Sequence, residues 1–90
     1  GVVIERLLTE AAVDISVSLG SFVQLRLTTP EPSELHFHGY DISAAAGPQT
    51  VALMTFHAEH SGRFPIVSHT GDDLLGRAEK TLAYIEVLPE

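Results

Sequence analysis

Residues 13–28 read VDISVSLGSFVQLRLT. Val13, Ile15 and Val17 alternate with Asp14, Ser16 and Ser18. After Leu19-Gly20-Ser21 the alternation resumes, with Val23, Leu25 and Leu27 set against Gln24, Arg26 and Thr28. A period of two sends successive side chains to opposite faces of an extended chain, so each run reads as a strand with one buried face. The glycine-centred break between them reads as a hairpin turn.

The same grammar extends to the rest of the chain. Leu35–Ser43 and Thr50–Ala58 read as strands joined through Ala44–Pro48, and Arg63–Ser68 is expected to pair back across the Glu59–Gly62 turn. The last strand, Leu82–Leu88, turns Ala83, Ile85 and Val87 inward and Glu86 outward, and Pro89 stops it. Turn-forming residues at Gly20, Thr29–Pro32, Gly47-Pro48, Ser61-Gly62 and Gly71–Asp73 punctuate these runs at the short intervals of an all-β sandwich. Two stretches compete as helices. Glu5–Ala12 holds good helix formers but is short and has no periodic apolar face. Asp72–Leu82 opens on a capping Asp but is interrupted by Gly76, which leaves at most one helical turn inside a long loop.

Composition narrows the function classes. The chain has 90 residues, no Cys, no Trp and five His, and its formal charge is −7. That length supports one core, so residues 1–90 are expected to form one domain. Residues 1–41 carry −4 and residues 42–90 carry −3, so charge marks no boundary. Without Cys there is no disulfide, thiolate nucleophile, iron–sulfur cluster or zinc finger. The negative balance would repel a phosphate backbone, which excludes nucleic acid as the expected partner. The longest apolar run, Val51–Met54, is far short of the ~20 residues that span a bilayer, so direct membrane insertion is not expected.

Chemistry concentrates on His36, His38, His57, His60 and His69. Two positions apart on a strand, His36 and His38 leave from one face about 6–7 Å apart at Cβ, close enough to converge on one ion or to lie side by side without one. His69 ends the strand that begins near Arg63, and if that strand neighbours the one carrying His36 and His38, all three imidazoles meet at one pole. Three neutral imidazoles suit copper(II), zinc or nickel, and copper is bound most tightly of these. Hydrogen-bonded histidines without metal are the alternative. His57 and His60 flank the opposite turn and read as solvent-exposed; their spacing is not the HExxH of zinc proteases. No Gly-x-Ser-x-Gly elbow, phosphate loop or dinucleotide fingerprint occurs. Ser68 and His69 are strand neighbours facing opposite ways, so they do not form a nucleophile–base pair.

The succession of Leu35-His36-Phe37-His38-Gly39-Tyr40-Asp41-Ile42, Phe56-x-Ala58, Ser61-Gly62-Arg63-Phe64-Pro65-Ile66-x-Ser68-His69 and Ala83-Tyr84-Ile85-Glu86-Val87-x-Pro89 resembles the cupredoxins. These are the blue-copper proteins and the related domains of copper oxidases. The resemblance runs from Val13 to Pro89 and implies a Greek-key β-sandwich of about seven strands. It implies that His38 or His36 matches the family's first copper ligand. Ser68 falls where the Cys ligand is expected, with His69 directly after it. No Met closes the site: Leu74 and Leu75 stand in that region, and Met54 is on another strand. Without a thiolate, blue-copper electron transfer is not expected. The expectation is therefore a periplasmic or otherwise extracytoplasmic copper-binding domain, not an enzyme, with His36, His38 and His69 as ligands and zinc as the second choice of metal. The alternative is a metal-free structural or interaction module of a larger exported or membrane-anchored protein, with that protein's other domains as partners.

Overall fold

The computed structural model describes residues 1–69 and 79–89. Eight strands account for the regular structure: β1 Val2–Leu7, β2 Val13–Ser18, β3 Phe22–Thr28, β4 Ser33–Phe37, β5 Ile42–Ala46, β6 Ala52–His57, β7 Gly62–His69 and β8 Glu79–Leu88. They form a three-stranded sheet in the order β1-β3-β6 and a five-stranded sheet in the order β2-β8-β7-β4-β5. Pairing is parallel between β1 and β3 and between β2 and β8, and antiparallel elsewhere. No helix occurs among the described residues. The expected all-β sandwich is the observed architecture.

The core lies between the sheets, where the alternating residues point. Val23, Leu25, Leu27 and Met54 from the small sheet meet Leu35, Phe37, Ile66, Ile85 and Val87 from the large one, all essentially without solvent contact. Burying a side chain of this size contributes about 1.5–3 kcal/mol, so this interdigitation dominates the stability.

Strand partners differ from the expectation. The Leu19-Gly20-Ser21 break is not a hairpin: β2 belongs to the large sheet and β3 to the small one, so the chain crosses the sandwich there. The Glu59–Gly62 turn likewise carries the chain from β6 in the small sheet to β7 in the large one. Both sheets bury a face against the same core. Alternation therefore reports which side chains point inward but not which sheet a strand joins. The predicted strand Leu35–Ser43 is two strands, β4 and β5, folded back through a turn at His38–Asp41. Glu5–Leu7 is the end of β1, an additional strand held by parallel pairing to β3 that its own residues do not signal. Of the stretch Asp72–Leu82, the part up to Ala78 lies outside the described residues, and Glu79 onward is already strand.

Candidate metal-binding histidines

The β4–β5 turn determines where the first two histidines stand. Leu35 and Phe37 face the core, so His36 points outward from the large sheet. Its cross-strand partner is Ser43, and the imidazole Nδ1 lies 2.8 Å from the Ser43 hydroxyl. That contact orients the ring and leaves Nε2 directed away, 3.8 Å from Asp41 Oδ1. The Asp41 amide donates to the Phe37 carbonyl at 2.9 Å, closing a five-residue turn. Asp41 itself has φ 56°, a left-handed conformation that Asp tolerates better than most residues. The His36 and His38 rings lie edge to face, with centroids 4.4 Å apart and planes at 76°.

An aromatic cluster fixes this turn from below. Tyr40 packs on Phe37 and Phe56 with centroids 5.1 and 4.8 Å away, and Phe64 meets it edge-on at 5.2 Å. The Tyr40 hydroxyl donates to the His60 carbonyl at 3.0 Å and accepts from the His60 amide at 3.1 Å. Gly39 has φ 92°, and a Cβ there would lie 2.3 Å from the Phe64 ring. The close approach that glycine permits is thus taken by Phe64.

His69 stands elsewhere. It pairs with Glu34 of β4 and Glu79 of β8, and its Nε2 is 3.4 Å from the Glu79 carboxylate. The His38 amide donates to the Pro65 carbonyl. The rungs of His69 and His38 are therefore separated along β4 by the distance from residue 34 to residue 38, roughly 13 Å at ~3.3 Å per residue. His36 and His38 come together on one strand and its turn, while His69, opposite Glu34, lies on the same outer face as His36 two rungs further along, roughly 7 Å at ~3.3 Å per residue, with its ring against Glu79. Among the described residues no group of three or more His, Cys, Asp or Glu side chains is gathered as one ion would require. His60 belongs to the pole of His38 through Tyr40, so the expected division of the histidines into His36, His38 and His69 against His57 and His60 is not the spatial one.

Ser68 is buried and faces inward opposite Leu35, as its position before an outward His69 requires. Neither Leu35 nor Ser68 supplies the thiolate and imidazole of a type 1 copper site, and no Cys exists anywhere in the chain. The donor set does not fit that centre. Sequence reasoning missed Ser43 as the partner of His36. Reading Gly39-Tyr40-Asp41 as a turn instead of continuing strand would have reflected one onto the other.

No protein-family model and no curated protein matches the sequence. Solved structures do match the fold. A heme-copper terminal oxidase dimer contains a chain 23% identical over 91% of this chain and 60% of its own, with TM-score 0.69. The periplasmic domain of subunit II of cytochrome oxidase from Bradyrhizobium japonicum is 13% identical over 86% of this chain and 55% of its own, with TM-score 0.65. Blue copper oxidase from Nitrosomonas europaea is 18% identical over 86% of this chain and 31% of its own, with TM-score 0.59. The chain is thus similar to less than two thirds of each. With its two sheets and their strand order, it has the cupredoxin-like fold.

Proposed function

We propose that this cupredoxin-like domain binds copper(II) reversibly through two imidazoles, His36 and His38, as part of a larger extracytoplasmic protein, and that it holds and passes on the ion without turnover. The observation that carries the reading is the spacing of the two rings, 4.4 Å at 76°. Two imidazoles bound to one ion at ~2.0 Å stand with their centroids about 4–5 Å apart, so the observed separation is compatible with a shared ion. Among the divalent ions that imidazoles suit, copper(II) is bound most tightly. The Ser43 contact at His36 Nδ1 supports Nε2 as the ligating atom, since ligand imidazoles are ordinarily held through their second nitrogen. Asp41, almost fully exposed, is near enough to approach the ion after a side-chain rotation. Similarity to oxidase domains supports the extracytoplasmic setting and the larger parent protein.

The metal-free module is the second reading. It is favoured by the direction of the His69 ring, which lies against Glu79, and by no group of three His, Cys, Asp or Glu side chains being gathered among the described residues. Calorimetric titration with copper(II), with electron paramagnetic resonance to count coordinated nitrogens, separates the two. His36→Ala and His38→Ala should each weaken binding by about tenfold or more, and His69→Ala should leave it unchanged. Absence of saturable micromolar binding, or loss of binding in the His69 variant alone, overturns the two-imidazole site.

A further inference from the structure

The outer face of the small sheet is built from every second residue of its strands. Val23, Leu25, Leu27, Ala52 and Met54 point into the core, so Phe22, Gln24, Arg26 and Thr28 of β3 and Leu53 of β6 point away from it. The parallel register sets Val3, Glu5 and Leu7 of β1 beside Gln24, Arg26 and Thr28 on that same face. Exposed apolar side chains gather here: Phe22 is 64% exposed, Val3 62%, Leu7 60% and Leu53 52%, and the exposed Val51 adjoins them just before β6. Apolar side chains gathered on one exposed face mark an interaction surface.

Charge selects the occupant. The three strands hold Glu5, Arg6 and Arg26, a balance of +1, within a chain of −7, so the remainder carries −8. Part of that surplus stands on the outer face of the large sheet, where Asp14, Glu34 and Glu86 outnumber Arg63. Two copies meeting there would oppose acid to acid. On the small sheet Glu5 and Arg26 stand side by side in one rung, and a like face approaches without net repulsion.

Shape supplies the arrangement. Phe22 stands at one end of β3, its ring lying flat on His57 with centroids 4.2 Å apart. Toward the other end, Glu5, Arg6, Leu7, Arg26, Thr28 and Val51 line a shallow depression of about 220 Å³. Residues 22 and 28 are roughly 20 Å apart along the strand at ~3.3 Å per residue, and Leu25 is midway. A two-fold axis through the Leu25 rung, running across the strands, sets Phe22 of each copy over the depression of the other, so one contact is made twice. It also brings that ring to a guanidinium, which an aromatic face attracts. We propose that a second copy of this chain docks on the outer face of the small sheet, forming a two-fold dimer in which the Phe22 ring of each protomer enters the Arg26 depression of the other. The turn carrying His36 and His38 belongs to the large sheet and stays open in both protomers, so association needs no metal.

Sedimentation equilibrium of the whole chain, kept metal-free with a chelator, should show a monomer–dimer equilibrium at concentrations up to about 1 mM. Phe22→Ala and Leu53→Glu should each weaken dimerisation by about tenfold or more, as truncation or charging of central interface side chains does. Ser16→Glu, on the outer face of the large sheet, should leave the constant unchanged. In a mixture of isotope-labelled and unlabelled chains, nuclear Overhauser contacts between protomers should join the Phe22 ring to Leu7 and Val51. A chain that stays monomeric throughout, with this face left to another domain or to solvent, overturns the proposal. So does a dimer indifferent to both substitutions, or one whose contacts bypass Phe22. None of these outcomes bears on copper binding by His36 and His38, which is measured separately.

Discussion

Gly39 and Gly20 share a φ of 92° and differ in their surroundings. At Gly20 nothing lies within 4 Å of the position a Cβ would take, whereas at Gly39 the Phe64 Cδ1 and Cε1 atoms lie 2.3 and 2.9 Å away. The left-handed conformation costs an L side chain about 1–2 kcal/mol at either site. At Gly39 the Phe64 ring must move as well. That ring meets Tyr40, which is packed on Phe37 and Phe56, so little slack is available. Forcing an extra carbon into a packed site costs about 1–3 kcal/mol. Gly20→Ala should therefore lose about 1–2 kcal/mol and Gly39→Ala about 2–5 kcal/mol, the excess being the Phe64 contact. In a Phe64→Ala background the Gly39→Ala loss should fall to that of Gly20→Ala, which a double-mutant cycle measures directly. The assay is equilibrium urea unfolding with unchanged m-values. Equal losses at the two glycines, within about 0.5 kcal/mol, would refute the packing argument.

Phe37→Ala should cost about 3–5 kcal/mol, because a fully buried ring leaves a cavity between the sheets. By contrast, His38→Ala should stay within about 0.5 kcal/mol by the same assay, since its ring stands outside the core. Ser68→Cys, loaded with copper(II), should show no intense thiolate-to-copper absorption, because the new thiol would face inward opposite Leu35, away from His36 and His38; such a band would show that an imidazole reaches the inner face. Glu10 accepts from Lys80 Nζ at 2.9 Å, and that hydrogen bond and charge hold its carboxyl below the usual range. A lowered folded-state value stabilises above the ordinary carboxylate range and ceases to do so as pH falls through it. Lys80→Met should accordingly lower the melting temperature slightly at neutral pH, more so at low salt, and not in strong acid; a pH-independent effect contradicts the pairing.

Facing was legible in the sequence and partnership was not. Val23, Leu25 and Leu27 in β3, and Ala83, Ile85 and Val87 in β8, are buried as their alternation requires. Which sheet each strand joins depends on how a short connection crosses the core, and nothing local to Leu19-Gly20-Ser21 distinguishes a hairpin from a crossover. β1 escaped for a related reason. Its residues are mostly exposed, so it has little alternation to read, and its place comes from backbone pairing to β3. At the candidate site the spacing of His36 and His38 sufficed to bring the two rings together, because both belong to one strand and its turn. Placing His69 needed the β4–β7 register, which depends on how Pro65 and Ile66 meet His38 and Phe37. That is long-range information which neither strand carries alone.

The same register explains how this fold can lack a thiolate without losing its shape. Ser68 and Leu35 fill inward positions, and the sheets close over apolar side chains that need no ion. A copper site inside the sandwich would tie ligand identity to core packing, so each ligand change would also be a packing change. Here the two imidazoles stand on the outer face, one oriented by Ser43 and both carried by a turn that Tyr40 and Gly39 anchor to Phe64 and His60. Removing either ring leaves that anchorage intact. At the proposed two-imidazole site, ion binding would therefore be separable from folding, and a loss of copper affinity in His36→Ala or His38→Ala at unchanged stability would report coordination itself and not a collapsed scaffold.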